Sequence, residues 1–170
     1  MDLRFLPRYA IAALAGLVMA AGVQAGSGRL MPGNVPLAYV QECGACHLPY
    51  PPGLLPARSW QRLMGHLDSH YGSDASLDPA TVAQLGLWLQ AHAGTYKRVA
   101  GDPPQDRITR SAWFERKHRK VDAATWHLPG VKSAANCMAC HEGAAQVIFE
   151  DEKLRYPPGL SPAQQRAWKE

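Results

Sequence analysis

The sequence predicts a mainly α-helical protein built from two small domains. Apolar residues recur at helical spacing over residues 57–72 and again over 78–94, and segments rich in proline and glycine separate these stretches. The division into two domains follows from a motif, Cys-x-x-Cys-His, that occurs at 43–47 and again at 137–141. With 14 prolines and 15 glycines among 170 residues, side chains alone can build only a small core.

The N-terminal segment has the features of a secretory signal. Two arginines precede an apolar run over residues 10–21, and Val23-Gln24-Ala25 offers small residues for signal peptidase. An uncleaved membrane anchor is the alternative, but an apolar run of about a dozen residues is shorter than the roughly 20 that span a bilayer. We predict that residues 1–25 are a cleaved signal peptide and that the protein is exported to the periplasm.

The first domain, predicted over residues 26–94, reads as three helices. The first would be capped by Asn34 and lead into Cys43. A Pro/Gly loop follows, and the second helix lies within 57–72, where Gly72 would end it. The third begins at Asp78-Pro79, a cap with proline at the first helical position, and runs to Gly94.

The second domain, predicted over residues 111–153, shows less regular patterning. A linker, 95–110, precedes it, and a brief helix begins at Ser111; a C-terminal tail, 154–170, follows it. The sequence "YPPGL" in this tail repeats residues 50–54, and a tryptophan follows both copies. Because the two copies lie at unequal distances from the cysteine motifs, we interpret the repeat as local turn chemistry.

Charge is unevenly distributed between the two halves. Residues 26–94 contain three basic and four acidic residues, for −1, whereas residues 95–170 contain 13 and nine, for +4. A basic second half suits an acidic partner surface, or it is compensated within the fold as a solvated face. We predict protein partners and no nucleic-acid partner.

The four cysteines form two pairs, and three chemistries compete for them. A disulfide framework leaves the histidine after each pair unexplained. A zinc site using all four thiolates is disfavoured by the 90 residues between Cys46 and Cys137, far more than the roughly 15 to 20 between typical zinc-binding pairs. Covalent haem attachment uses every residue of both motifs, because two cysteines form thioethers to the porphyrin and the histidine binds the iron.

The motifs therefore predict two covalently bound haem c groups. The fold class becomes mainly α with two small haem-wrapping domains, the first cytochrome c-like and the second short and irregular. The predicted thioether residues and their adjacent iron ligands are Cys43, Cys46 and His47 for the first haem, and Cys137, Cys140 and His141 for the second.

The ligand on the other side of each iron determines the function. Methionine there raises the haem potential, a second histidine lowers it, and an empty position permits catalysis or gas binding. On a helix over 57–72, His70 lies at the edge of the apolar stripe; it is our first choice for the first iron, with Met64 and His92 as weaker alternatives. For the second iron we favour His118, which follows two aromatic residues at helical spacing inside the basic run 116–120, over His127.

The wording around these motifs resembles the small periplasmic dihaem cytochromes c of bacteria. The resemblance spans roughly residues 37–143 and rests on "ECGACHLPYPPGLLPARSW", "HYGSDASLD", "ITRSAWFERKH" and "VKSAANCMACH". It implies two histidine ligands on each iron, and the matching "HYG" and "WFERKH" positions carry His70 to the first iron and His118 to the second. It also implies two redox partners, a soluble oxygen-binding monohaem cytochrome c and a b-type membrane cytochrome.

We predict from these observations a periplasmic electron carrier with no catalytic site and no substrate of its own. Two imidazoles on each iron leave outer-sphere transfer of single electrons at low potential. The main alternative is a haem enzyme or gas sensor in which one haem is five-coordinate or has a labile ligand. A third possibility is a subunit docked permanently on a membrane oxidoreductase.

Overall fold

The computed structural model describes residues 30–95 and 99–169, so the predicted signal peptide lies outside the described residues. Within these ranges the chain contains helices, turns and two isolated bridges but no β-strand, and the mainly α prediction is confirmed. A π-helix, Tyr39–Cys43, precedes four α-helices: α1 (Ala57–Met64), α2 (Pro79–Ala91), α3 (Ala112–Lys117) and α4 (Pro162–Lys169). Short 3-10 helices connect them: Pro52–Leu54, Leu67–Ser69, Pro104–Asp106, Ile108–Arg110, Ala123–His127, Cys137–Ala139, Ala144–Gln146 and Asp151–Lys153.

Helix α2 begins where its sequence predicts. The Asp78 carboxylate accepts hydrogen bonds from the backbone N–H groups of Ala80 and Thr81, both at 3.0 Å, and Pro79 occupies the first helical position. The helix ends at Ala91, three residues before the predicted Gly94. A cap that satisfies two otherwise unpaired N–H groups explains why this start could be located from the sequence.

The main apolar core lies between the π-helix, α1 and α2. It contains Tyr39, Leu55, Trp60, Leu85, Trp88 and Leu89. The rings of Tyr39 and Trp88 have centres 4.8 Å apart, so the last helix of the first half packs on the π-helix that carries Cys43. Removal of these side chains from water stabilises this half.

Two sequence predictions for the first half are wrong in detail. The helix predicted from an Asn34 cap is the π-helix, which has no side-chain cap at its N-terminal boundary, Ala38. The helix predicted to reach Gly72 ends at Met64, because Gly65 follows it and glycine has low helix propensity. His70 therefore does not lie on the α1 face where the helical wheel placed it.

Part of the predicted linker is folded. Residues 104–110 form two consecutive 3-10 helices, and Arg62 of α1 forms ion pairs with Asp102 and Asp106, at 2.9 and 2.6 Å. Residues 102–110 of the predicted linker are therefore held against α1. The division into two domains stays a prediction.

The second half begins with the short helix that the sequence predicted. The hydroxyl of Ser111 accepts a hydrogen bond from the Phe114 N–H at 3.1 Å and so caps α3. The buried side chains of the second half include Phe114 of α3, Thr125 of the 3-10 helix Ala123–His127, and Val131 and Leu160 of the connecting segments. Within residues 30–95 and 99–169, no helix is long and apolar enough to cross a membrane.

Candidate haem sites

The first cysteine motif follows the π-helix directly. Cys43 ends this helix and is half-buried, whereas Cys46 is exposed. The Nδ1 atom of His47 is 2.7 Å from the carbonyl oxygen of Leu48, and its ring stacks on Tyr50 with centres 4.8 Å apart. Because Nδ1 donates to a carbonyl, Nε2 is the ring nitrogen left to bind a metal.

His70 lies opposite His47. Their ring centres are 6.2 Å apart and their planes differ by 26°. His70 follows the 3-10 helix Leu67–Ser69, and its Nδ1 atom is buried without a hydrogen-bond partner among the described residues. Burial, together with the nearby His47, lowers the pKa of His70, which favours the neutral imidazole that binds metals.

The second cysteine motif lies on a 3-10 turn. Cys137–Ala139 form this turn, and the N–H of His141 donates to the Cys137 carbonyl at 2.9 Å. The edge of the His141 ring meets Phe149, with centres 5.4 Å apart. Burial and the neighbouring His118 lower the pKa of His141, and its Nδ1 is also buried, with no hydrogen-bond partner in the described part of the chain.

His118 lies opposite His141. The two ring centres are 6.1 Å apart, and here the ring planes are nearly perpendicular, at 81°. His118 follows the last residue of α3, and its Nδ1 is 2.9 Å from the Phe114 carbonyl oxygen. Its ring stacks on the Phe114 ring, with ring centres 3.9 Å apart. Burial lowers the pKa of His118 as well.

These spacings suit an iron ion between each pair of rings. An imidazole nitrogen lies about 2 Å from a bound metal ion and the ring centre about 1 Å further, so two rings on opposite sides of one ion have centres about 6 Å apart. The observed separations are 6.2 and 6.1 Å. The identity of the ligands stays a prediction, and the geometry of all four histidines fits it.

Both motifs line one cavity of about 1110 Å³. This volume exceeds the roughly 300–1,000 Å³ of an ordinary small-molecule pocket. Its wall includes the predicted thioether cysteines and all four opposed histidines: Cys43, Cys46, His47, His70, His118, Cys137, Cys140 and His141. Residues 90 positions apart in the chain thus contribute to one site.

The cysteines themselves do not form a disulfide or a metal cluster. All four are free, and no group of three or more His, Cys, Asp or Glu residues in the described part of the chain could hold a metal ion directly. Burial raises the pKa of Cys43 and of Cys137 to about 11.

The weaker ligand candidates are placed differently. Met64 lines the cavity but packs against the apolar core of the first half. The His92 ring bonds through Nδ1 to the Trp88 carbonyl, at 2.8 Å, and lies against the Trp88 ring. His127 is exposed, and neither His92 nor His127 lines the cavity formed by the described residues.

Several residues at the site escaped the sequence analysis. The Tyr50 hydroxyl donates to the Ala135 carbonyl at 2.7 Å and so connects the two motifs. Arg155 donates through its backbone N–H to the Cys140 carbonyl and through Nη2 to the Met138 carbonyl, both at 2.7 Å. These contacts join residues 15 or more positions apart and end on backbone carbonyls, which no sequence pattern marks.

One sequence signal for the tail was available in the "YPPGL" repeat. The first copy contributes Tyr50 and, after it, Trp60 to the cavity wall; the second contributes Tyr156 and Trp168, whose ring centres are 5.7 Å apart. The two copies differ in local structure, since the first forms the 3-10 helix Pro52–Leu54 and the second a turn. The repeat therefore marks cavity-lining aromatic residues as well as turns.

Comparisons with known proteins identify the family of the chain. A model of the dihaem cytochrome c family matches residues 39–149. The solved diheme cytochrome c from Rhodobacter sphaeroides is 39% identical, with a TM-score of 0.61 over 68% of this chain and 97% of that chain. A diheme type c cytochrome from Shewanella baltica is 34% identical, with a TM-score of 0.63 over 75% of this chain and 98% of that chain. No curated protein shows significant similarity. The chain belongs to the dihaem cytochrome c family, and its cofactors are two haem c groups.

Proposed function

We propose that the protein carries single electrons by outer-sphere transfer between two low-potential haems, each held by two histidines, and redox partners in the periplasm. The observation that carries this proposal is the pair of opposed imidazole rings, His47 with His70 and His118 with His141, about 6 Å apart across a shared cavity. Membership of the dihaem cytochrome c family supports an electron-transfer role.

The ligand set explains why we favour electron transfer over catalysis. A haem c supplies an iron that cycles between ferric and ferrous states. Two strong-field imidazoles would occupy both axial positions of each iron, so no position remains for a substrate or a gas. Histidine in place of methionine also favours a low potential, because methionine ligation raises it.

Location and partners form a second part of the proposal. The signal-like segment 1–25 supports export to the periplasm, and the resemblance supports a soluble oxygen-binding monohaem cytochrome c and a b-type membrane cytochrome as partners. The basic side chains Lys117, Arg119 and Lys120 line the cavity beside His118, and Lys117 and Arg119 are exposed. We therefore propose that an acidic partner surface docks at the second haem.

The electron-carrier proposal is tested by a spectroscopic redox titration of the purified dihaem protein, followed by carbon monoxide addition to its ferrous form. We expect two one-electron steps at low potential and no rapid change in the Soret band with carbon monoxide. A rapid Soret shift in one haem would contradict the carrier proposal and favour a gas sensor or haem enzyme.

The docking proposal is tested with a small redox reagent whose charge is opposite to that of Lys117, Arg119 and Lys120. Ferricyanide, an anion, should oxidise the reduced protein at a rate that falls as ionic strength rises, and Lys117→Gln with Arg119→Gln should reduce that rate at low salt. Arg110→Gln is the matched control, since Arg110 is exposed but does not line the cavity. An equal effect of the control, or no effect of the double variant, would contradict docking at this edge.

A further inference from the structure

Among the four opposed histidines, His70 lacks the restraints that hold the other three. His47 and His141 each directly follow a cysteine of an attachment motif. The Nδ1 of His118 bonds to the Phe114 carbonyl at 2.9 Å, and its ring stacks on Phe114. The Nδ1 of His70 is buried with no hydrogen-bond partner among the described residues. Its orientation must therefore come from its surroundings.

Tyr71 is the neighbour that can supply this restraint. Its ring centre lies 4.9 Å from that of His70. Its hydroxyl lies 3.0 Å from the Gln105 carbonyl and 3.1 Å from the Asp106 carbonyl, 34 and 35 residues along the chain. Tyr71 has φ 53°, a left-handed conformation that is costly for a bulky residue and persists only where tertiary contacts hold it.

The turn that receives the Tyr71 hydroxyl is itself fixed from α1. Arg62 donates through Nε and Nη2 to both carboxylate oxygens of Asp106, at 2.8 and 2.6 Å, and also reaches Asp102 at 2.9 Å. The Arg62 guanidinium holds the pKa of Asp106 below its usual range, and the Asp106 side chain is only 15% exposed. A two-point ion pair of this kind fixes orientation as well as distance.

A second cation completes the arrangement. The Arg107 guanidinium carbon lies 4.0 Å from the centre of the Tyr71 ring, in the position of a cation–π contact. The Tyr71 ring is thus held on its face by Arg107 and at its hydroxyl by the turn that Arg62 fixes. We call Arg62, Tyr71, Asp106 and Arg107 the Tyr71 clamp.

We propose that the Tyr71 clamp positions His70 on the first iron, so that cutting the clamp opens the sixth position of the first haem and leaves the second haem closed. Tyr71 is a positioning residue that acts through His70. The second haem does not need such a clamp, because His118 is held by its bond to the Phe114 carbonyl of α3. This inference rests on the two-histidine ligation of the proposed function.

The test measures the rate at which carbon monoxide binds to the ferrous dihaem protein. At saturating gas this rate is set by how often a histidine ligand dissociates from the iron. Tyr71→Phe keeps the ring and removes the hydroxyl, and should raise the rate for one haem of two by roughly 3- to 10-fold, as expected for the loss of one hydrogen bond. Arg62→Gln removes charge-assisted bonds and should raise it by roughly tenfold or more.

Arg58→Gln is the matched control. Arg58 lies on the same helix and pairs with Asp102 at 3.6 Å, but it has no bond to Asp106 in the described structure. It should leave the rate unchanged. In a His70→Ala background, where the ligand is already absent, Tyr71→Phe should add nothing, because the clamp acts only through His70.

The outcomes separate the clamp from the ligation on which it rests. Tyr71→Phe and Arg62→Gln at the wild-type rate, an equal gain for Arg58→Gln, or a further gain for Tyr71→Phe in the His70→Ala background would each overturn the clamp. Rapid binding by the unaltered protein, or no effect of His70→Ala, would instead overturn the two-histidine ligation.

Discussion

Tyr50 connects the two haem motifs, and replacing it should lower the free energy of unfolding through two separable contributions, that of its hydroxyl and that of its ring. Its ring stacks on His47 with centres 4.8 Å apart and planes 20° apart, and its hydroxyl donates to the Ala135 carbonyl at 2.7 Å. Ala135 lies two residues before Cys137. One side chain thus contacts His47, the proposed ligand of the first iron, and the start of the second attachment motif.

The magnitudes follow from what each substitution removes. Tyr50→Phe removes one hydrogen bond, and the Ala135 carbonyl keeps the Cys137 N–H as a donor at 3.0 Å, so no carbonyl is left unpaired. We expect a loss of about 1 kcal/mol in the free energy of unfolding. Tyr50→Leu also removes the stacked ring, worth about 0.5–1.5 kcal/mol more, for a total of about 2 kcal/mol.

Equilibrium unfolding in guanidinium chloride, followed by tryptophan fluorescence and by the Soret band, measures both values. The two variants share one position, so the difference between them isolates the ring from the hydroxyl. A Tyr50→Phe stability within about 0.3 kcal/mol of the wild type would exclude the hydroxyl contribution, and one equal to that of Tyr50→Leu would exclude the ring contribution.

Two further predictions concern the iron ligands and the cap of α2. The ring planes of His47 and His70 differ by 26° and those of His118 and His141 by 81°. The ferric protein should therefore give two distinct low-spin electron paramagnetic resonance signals, a rhombic one from the first haem and a strongly anisotropic one from the second. Two identical signals would contradict these angles. Asp78→Ala removes both cap bonds of α2 and should lower the free energy of unfolding by about 1 kcal/mol, whereas Asp78→Asn should retain most of it; equal losses in thermal unfolding would exclude a capping role.

The attachment motifs could be read from the sequence because their chemistry is local. Cys43, Cys46 and His47 fall within one turn, and their spacing alone specifies what they can bind. The caps at Asp78 and Ser111 were predictable for the same reason, since each acts within three residues. Local hydrogen bonding is the part of a structure that a short sequence pattern encodes.

The position of His70, opposite His47 in the first site, could not be derived in the same way. The helical wheel assumed one helix over 57–72, but α1 stops at Met64 and His70 follows a 3-10 turn. The contacts that hold this loop join Arg62 to Asp106, 44 residues apart, and Tyr71 to Gln105, 34 apart. No sequence periodicity relates residues at such separations, so only the folded chain reveals them.

The most direct test of two-histidine ligation is the spin state of the ferric dihaem protein and of its single-histidine variants. Two-histidine ligation predicts a fully low-spin wild type, a high-spin signal from one haem of two in His70→Ala and in His118→Ala, and no change in the controls His92→Ala and His127→Ala. A high-spin haem in the wild type, or an unchanged spectrum in His70→Ala or His118→Ala, would contradict it.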